Sequence, residues 1–144
     1  MMCVRLFFGL FWCRRGLFFR AFRLEVKTMK KMAIADVKPY AAPGHFDVSV
    51  LRLQGTDETG IKTFWVGKSL FLPGGGADWG YEDNPNEKVY FVLKGEITVE
   101  SKDEVFRLKE GDSIYIAPFE GRKIKNETND VCEMLVMITY KGLE

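Results

Sequence analysis

The sequence predicts an all-β sandwich or barrel, and two observations carry that prediction. From residue 46 onward, runs of five to nine residues rich in Val, Ile, Phe and Tyr alternate with Gly, Pro, Asn or Asp breaks. After residue 32 no window sustains the 3.6-residue period of an amphipathic helix. The expected strands are Phe46–Leu53, Thr63–Leu72, Lys88–Leu93, Glu96–Ser101, Glu104–Leu108, Ser113–Ile116, Arg122–Asn126 and Val131–Tyr140.

Each boundary has a local cause. Gly55–Gly60 separates the first two strands, and Pro73–Pro85 is expected to break the chain after Leu72. The glycine run 73–76 lacks the following helix and the Gly-Lys-Ser/Thr ending of a phosphate loop. It is expected to turn the chain tightly into a loop at the barrel mouth. Gly95 and the short Lys102-Asp103 link are both expected to close hairpins. Along Lys88–Leu93, alternation places Lys88, Tyr90 and Val92 on the inner face and Val89, Phe91 and Leu93 on the other. Both faces are apolar beyond Lys88, so a second layer or a partner subunit must cover the outer one. A homodimer is the expected solution.

Composition narrows the class of function. The 144 residues suit one domain, with 47% apolar and 28% charged residues. Three cysteines (Cys3, Cys13, Cys132) form no C-x-x-C pair, which argues against a zinc knuckle, a redox motif or a disulfide framework. A single histidine, His45, excludes a site built from several imidazoles. It follows Pro43-Gly44 and is expected at the rim or surface rather than as a general base. Cys132 lies in an apolar strand and reads as a core residue, and Ser113 has no histidine partner for a hydrolase triad.

The net charge of +1 conceals two chains of opposite character. Residues 1–31 carry eight Lys/Arg against Glu25 alone, whereas residues 32–144 carry 13 Lys/Arg against 19 Asp/Glu. An acidic body without a basic stripe is a poor partner for nucleic acid. Residues 1–31 are expected to lie outside the fold, as a basic aromatic extension or an over-extended start. Met29-Lys30-Lys31-Met32 resembles a bacterial start, and the composition changes there. The longest apolar run in that stretch, Leu6–Cys13, is too short to span a bilayer and has no signal-cleavage pattern. Phe8, Phe11, Phe18 and Phe22 would share one face of a membrane-surface helix. For residues 32–144 no membrane contact and a cytoplasmic location are expected.

Two stretches then carry a resemblance. PGGGADWGYEDNPNEKVYFVLKGEITV places Gly76, Glu82, Asn84, Lys88 and Gly95 at the spacing G-x5-H-x-H-x(3,4)-E-x6-G. GDSIYIAPFEGRKIKN places Gly111, Ala117, Phe119, Arg122 and Asn126 at G-x5-P-x-G-x2-H-x3-N. From about Phe64 to Tyr140 the chain resembles a small cupin. The resemblance implies a double-stranded β-helix, an RmlC-like jelly-roll barrel, over residues 32–144.

The family's metal ligands do not carry over. The four ligand positions hold Glu82, Asn84, Lys88 and Arg122, or Tyr81 and Asp83 in place of the first two if the loop takes the longer spacing. Glu82, Asp83 and Asn84 are oxygen donors suited to a hard cation. Lys88 and Arg122 beside them would repel a divalent ion by several kcal/mol, even at an effective dielectric of about 20. The expected site therefore has no metal and no cofactor.

In place of a metal stands a cationic pair. One reading pairs Lys88 and Arg122 with Glu82, Asp83 or another carboxylate as inert scaffold. The other uses the pair to hold a small organic anion, with Arg122 offering a bidentate fork to a carboxylate. Candidate ligand-binding residues are then Arg122, Lys88, Trp79, Tyr81, Asn84, Tyr115 and Asn126, with Trp65 a further aromatic near the mouth. Candidate catalytic residues are Lys88 or Arg122, to stabilise an enolate or carboxylate, and Tyr90, Glu82 or Asp83, to move a proton. Metal-independent isomerisation, epimerisation or elimination fits such a set. A non-catalytic binding module and an assembly cupin with a vestigial pocket remain the alternatives.

Overall fold

The computed structural model describes residues 29–140. The basic segment 1–28 lies outside them, and with it every expectation placed there.

A 3-10 turn at Ile34–Asp36 precedes β1 (Pro39–Tyr40) and β2 (His45–Gln54). A one-turn helix at Thr56–Thr59 links β2 to β3 (Phe64–Gly80). There follow β4 (Lys88–Lys94), β5 (Glu96–Glu100), β6 (Val105–Lys109), β7 (Ser113–Ile116), β8 (Arg122–Lys125) and β9 (Cys132–Thr139). All pairings are antiparallel, in the order β6-β5-β8-β3-β9-β4-β7, with β2 on β3 and β1 on β2. Among the described residues no helix is long and apolar enough to cross a membrane.

The chain rolls by changing layers. β4, β7 and β9 pair in one layer; β5, β6 and β8 pair in the other. β3 belongs to both, with Phe64–Phe71 on β9 and its far end, Gly76–Gly80, on β8. The result is a nearly closed jelly-roll barrel. Its core is built from inward-facing residues of both layers, among them Phe71, Val92, Ile97, Val99, Ile124, Met134 and Val136.

Two expectations are corrected here. The chain does not break at Pro73: β3 continues through the glycines to Gly80. A Cβ at Gly75 would lie 2.2 Å from the Asp47 carbonyl oxygen, and one at Gly76 2.2 Å from that of Ile124. The glycines let β3 pass between two backbones as it changes layer, rather than turn. Gly95 does not close a hairpin either, because β4 and β5 share no ladder. It carries the chain from one layer to the other at φ +83°, against the Val131 carbonyl 2.8 Å from where its Cβ would be. The Lys102-Asp103 link does join the paired strands β5 and β6.

Candidate functional site

Strand alternation delivers the site's polar side chains to the barrel interior. Lys88, Tyr90 and Val92 of β4 all point inward, with Lys88 1% and Tyr90 2% exposed. Arg122, at the first position of β8, is 3% exposed and meets Tyr90 across the interior. Its Nε donates to the Tyr90 hydroxyl oxygen at 3.0 Å, and one Nη donates to the Asp78 carbonyl at 3.4 Å. A guanidinium has five N–H donors, so the other three are unspent on acceptors among the described residues. The Tyr81 ring caps the pair, 4.4 Å from the guanidinium carbon of Arg122 and 4.8 Å from Lys88 Nζ. Tyr81 holds this pose at φ +77°, a backbone conformation that costs a bulky residue energy.

The electrostatics are one-sided. Among the described residues neither Lys88 nor Arg122 has a carboxylate within 4 Å. Lys88 Nζ donates to the Asn86 carbonyl at 3.0 Å. Burial pushes the Lys88 ammonium below its ordinary pKa, Arg122 pushes it further, and Glu120 opposes them. Burial raises the Tyr90 phenol above its ordinary value despite the nearby Arg122 charge and hydrogen bond. Tyr90 is therefore a neutral phenol, its oxygen accepting from Arg122 and its own proton left to donate.

Behind Tyr81 lies a cavity of about 40 Å³, walled by Arg122, Tyr90, Tyr81, Tyr40, His45, Trp65, Ser69 and apolar core residues. At roughly 10–15 Å³ per enclosed water centre, that is room for about three water-sized groups.

The remaining expected site residues lie elsewhere. Glu82 is exposed and paired with Lys102 at 2.7 Å, not with Lys88 or Arg122; Lys102, aided by Trp79, holds its carboxyl below the ordinary range. Asp83 is exposed on the same loop, and Trp79 packs by Glu82 and Gly121 at the rim. Asn84 is spent on the turn: its Oδ1 accepts from Asn86 N, and its carbonyl from Phe119 N. Tyr115 is 58% exposed on the outer face of β7, where it donates to Glu87, because alternation turns Ile114 and Ile116 inward instead. Asn126 is wholly buried just past the far end of β8, and its amide ties the turn before β9 to the β3 backbone. His45, expected at the rim, is half-buried in the cavity wall. Cys132 is buried with its thiol pushed up to about 11, an inert core residue.

The positions that hold a metal in the related fold do not fit one in this chain. Two of the four donors are replaced by buried cations, and the carboxylate among them faces solvent on Lys102.

Comparison with known proteins agrees with this fold. The family model described as "Cupin domain" matches residues 69–138. A protein of Mycobacterium tuberculosis named as a beta-D-galactosidase is 36% identical over 116 residues, covering 81% of this chain and 98% of its own. Two solved structures share the fold. The polyketide cyclase RemF of Streptomyces resistomycificus has a TM-score of 0.68 at 22% identity, covering 78% of this chain and 80% of its own. A cupin-superfamily sugar phosphate isomerase of Silicibacter pomeroyi has a TM-score of 0.63 at 18% identity, covering 78% and 76%. The chain belongs to the cupin family.

Proposed function

We propose that this cupin binds a small organic carboxylate inside its barrel through Arg122, without a metal. The observation that carries the reading is a guanidinium on a residue only 3% exposed, with no carboxylate partner and three donors unspent among the described residues. Burying such a charge costs several kcal/mol. The cation–π contact with Tyr81 returns about 2 kcal/mol. A ligand carboxylate taking the free side of the fork offsets the rest. The Tyr90 hydroxyl supplies a further donor, and the small cavity favours a short acid unless Tyr81 moves aside. Isomerisation, epimerisation or elimination is the catalytic form of this reading, and carriage without turnover is the non-catalytic form. Glu82 and Asp83 drop out as proton movers because they face solvent.

Calorimetric titration with acetate, pyruvate, 2-oxobutanoate, benzoate and phenylpyruvate tests it. Arg122→Lys keeps the charge but loses the planar fork, so the best acid should bind about 1–3 kcal/mol more weakly. Equal binding to wild type and to Arg122→Ala, or no binding at all, would sink the reading. The mycobacterial relative makes a β-galactoside the comparison ligand. Glycoside hydrolysis generally uses two carboxyl groups about 5–9.5 Å apart, and among the described residues no Asp or Glu lines this cavity. Galactose release from a galactoside would therefore place the chemistry elsewhere in the molecule.

We also infer a homodimer. The outer face of the β3-β9-β4-β7 layer carries Phe64, Val89, Phe91, Leu135, Met137 and Tyr115, with Phe91 39% exposed. A second copy burying that face would cover it isologously. Sedimentation at micromolar concentration should give twice the chain mass, and Phe91→Asp should return the monomer. A monomeric wild type overturns the dimer.

A further inference from the structure

The cavity wall contains a group that neither the metal positions nor the carboxylate reading uses. His45 opens β2 directly after a turn in which its own backbone N–H donates to Ala42 at 3.2 Å. It sits opposite Ala77 on β3, next to Asp78, whose N–H donates to the Gly44 carbonyl at 2.8 Å. The backbone that carries the imidazole is thus fixed on both sides. Its Nδ1 lies 2.8 Å from the Pro43 carbonyl oxygen. A carbonyl only accepts, so Nδ1 carries the proton and Nε2 keeps its lone pair. The ring makes no second hydrogen bond to the described residues. Burial lowers the imidazole's pKa, with the Pro43 carbonyl opposing, Arg122 adding and Asp78 opposing. The net direction favours the neutral, basic form.

We propose that His45 Nε2 is the general base of the barrel site, taking a proton from the carbon beside the carbonyl of a 2-oxo acid whose carboxylate lies on Arg122. The inference rests on the carboxylate reading above and adds to it a substrate class and a chemical step. With Tyr81 turned aside to enlarge the cavity, a 2-oxo acid matches the donors across it: its carboxylate takes the open side of the Arg122 fork, and its keto oxygen takes the Tyr90 hydroxyl. Nε2 removes the proton, the C–H electron pair becomes the C=C bond of an enolate, and the carbonyl π pair moves onto the keto oxygen. That oxygen is held by the Tyr90 proton, with the Arg122 and Lys88 charges nearby. The imidazolium then returns a proton to the same carbon, restoring the base. Nothing is oxidised or reduced.

Solvent exchange reads this step without knowledge of the natural substrate. In D₂O near neutral pD, wild-type protein should exchange the methyl protons of pyruvate and the C3 protons of 2-oxobutanoate above the buffer rate, followed by proton NMR. His45→Gln should lower exchange at saturating acid by about 10²-fold or more, while the calorimetric Kd changes less than about twofold. His45 is the chain's single histidine, so carbethoxylation of the folded wild type with diethylpyrocarbonate gives the same readout should His45→Gln fail to fold. It should abolish exchange, and saturating pyruvate should protect. Binding with no exchange, or exchange unchanged by either perturbation, overturns the inference and leaves the carboxylate reading standing. So does binding of other acids but of neither oxo acid, or a binding loss in His45→Gln as large as the exchange loss. Failure of every acid to bind overturns the reading and takes the inference with it.

Discussion

Arg122 opens β8 and Asn126 directly follows its last residue, Lys125; both are polar and both are buried. Asn126 spends everything it has. Its Nδ2 donates to the carbonyls of Phe71, Leu72 and Asp130, its Oδ1 accepts from the amide and hydroxyl of Thr128, and its backbone pairs with Gly74 and Gly75. Arg122 spends two donors of five and faces a cavity. A buried polar group whose bonds are all made is part of the scaffold. One whose bonds are half made, with a charge uncompensated, is a group waiting for a partner. Four residues apart, the chain changes from holding the barrel together to presenting unspent donors to the cavity.

Substitution should separate the two ends by sign as well as by size. Asn126→Ala strands three backbone carbonyls and the Thr128 amide, and should cost about 3 kcal/mol or more in urea denaturation. Arg122→Met removes an unpaired buried charge and keeps much of the apolar stem. It should leave stability within about 1 kcal/mol of wild type or raise it, while abolishing carboxylate binding. If Arg122→Met costs as much as Asn126→Ala, the contrast collapses and Arg122 belongs to the scaffold.

Much of this arrangement is legible from the sequence. Alternation along β4 places Lys88, Tyr90 and Val92 inside, and motif spacing places Arg122 beside them. What is not legible depends on non-local partners. Gly95 has the composition of a hairpin, but β4 finds its neighbours in β7 and β9, far along the chain. The run Pro73–Gly76 looks like a break because the backbones of Asp47 and Ile124 that pack on it are set by tertiary structure. Tyr115 was readable by parity, since Ile114 and Ile116 claim the interior, but its aromatic ring argues falsely for the mouth. Asn126 carries no local sign of whether its amide faces ligand or turn. His45 is hidden by a bulge. It and Val50 wall the same cavity despite opposite parity, which the register shift at Asp47 (φ +47°) allows.

The smallest effect tests the other member of the cationic pair. Lys88 is held below its ordinary pKa of 10.5 by burial and by Arg122. Between that depressed value and 10.5 the unfolded chain binds more protons at this residue than the folded one, so Lys88's contribution to stability rises with pH. Below the depressed value its cost is fully present, and above 10.5 it has vanished. Tyr90 acts in the opposite sense, because its raised pKa lowers stability only above its ordinary 10.0. The window from pH 7 to pH 10 therefore reports Lys88 with little interference from Tyr90. Lys88→Met should be most favourable relative to wild type at pH 7, and that advantage should shrink in urea midpoints once the pH passes the depressed pKa on the way to 10. A bound carboxylate near Lys88 should flatten the trend, because a facing negative charge raises the ammonium's pKa back toward 10.5. A difference between the two proteins that is constant across the window, with and without ligand, would mean the folded state does not penalise the Lys88 charge. Arg122 would then be the sole unbalanced cation of the site.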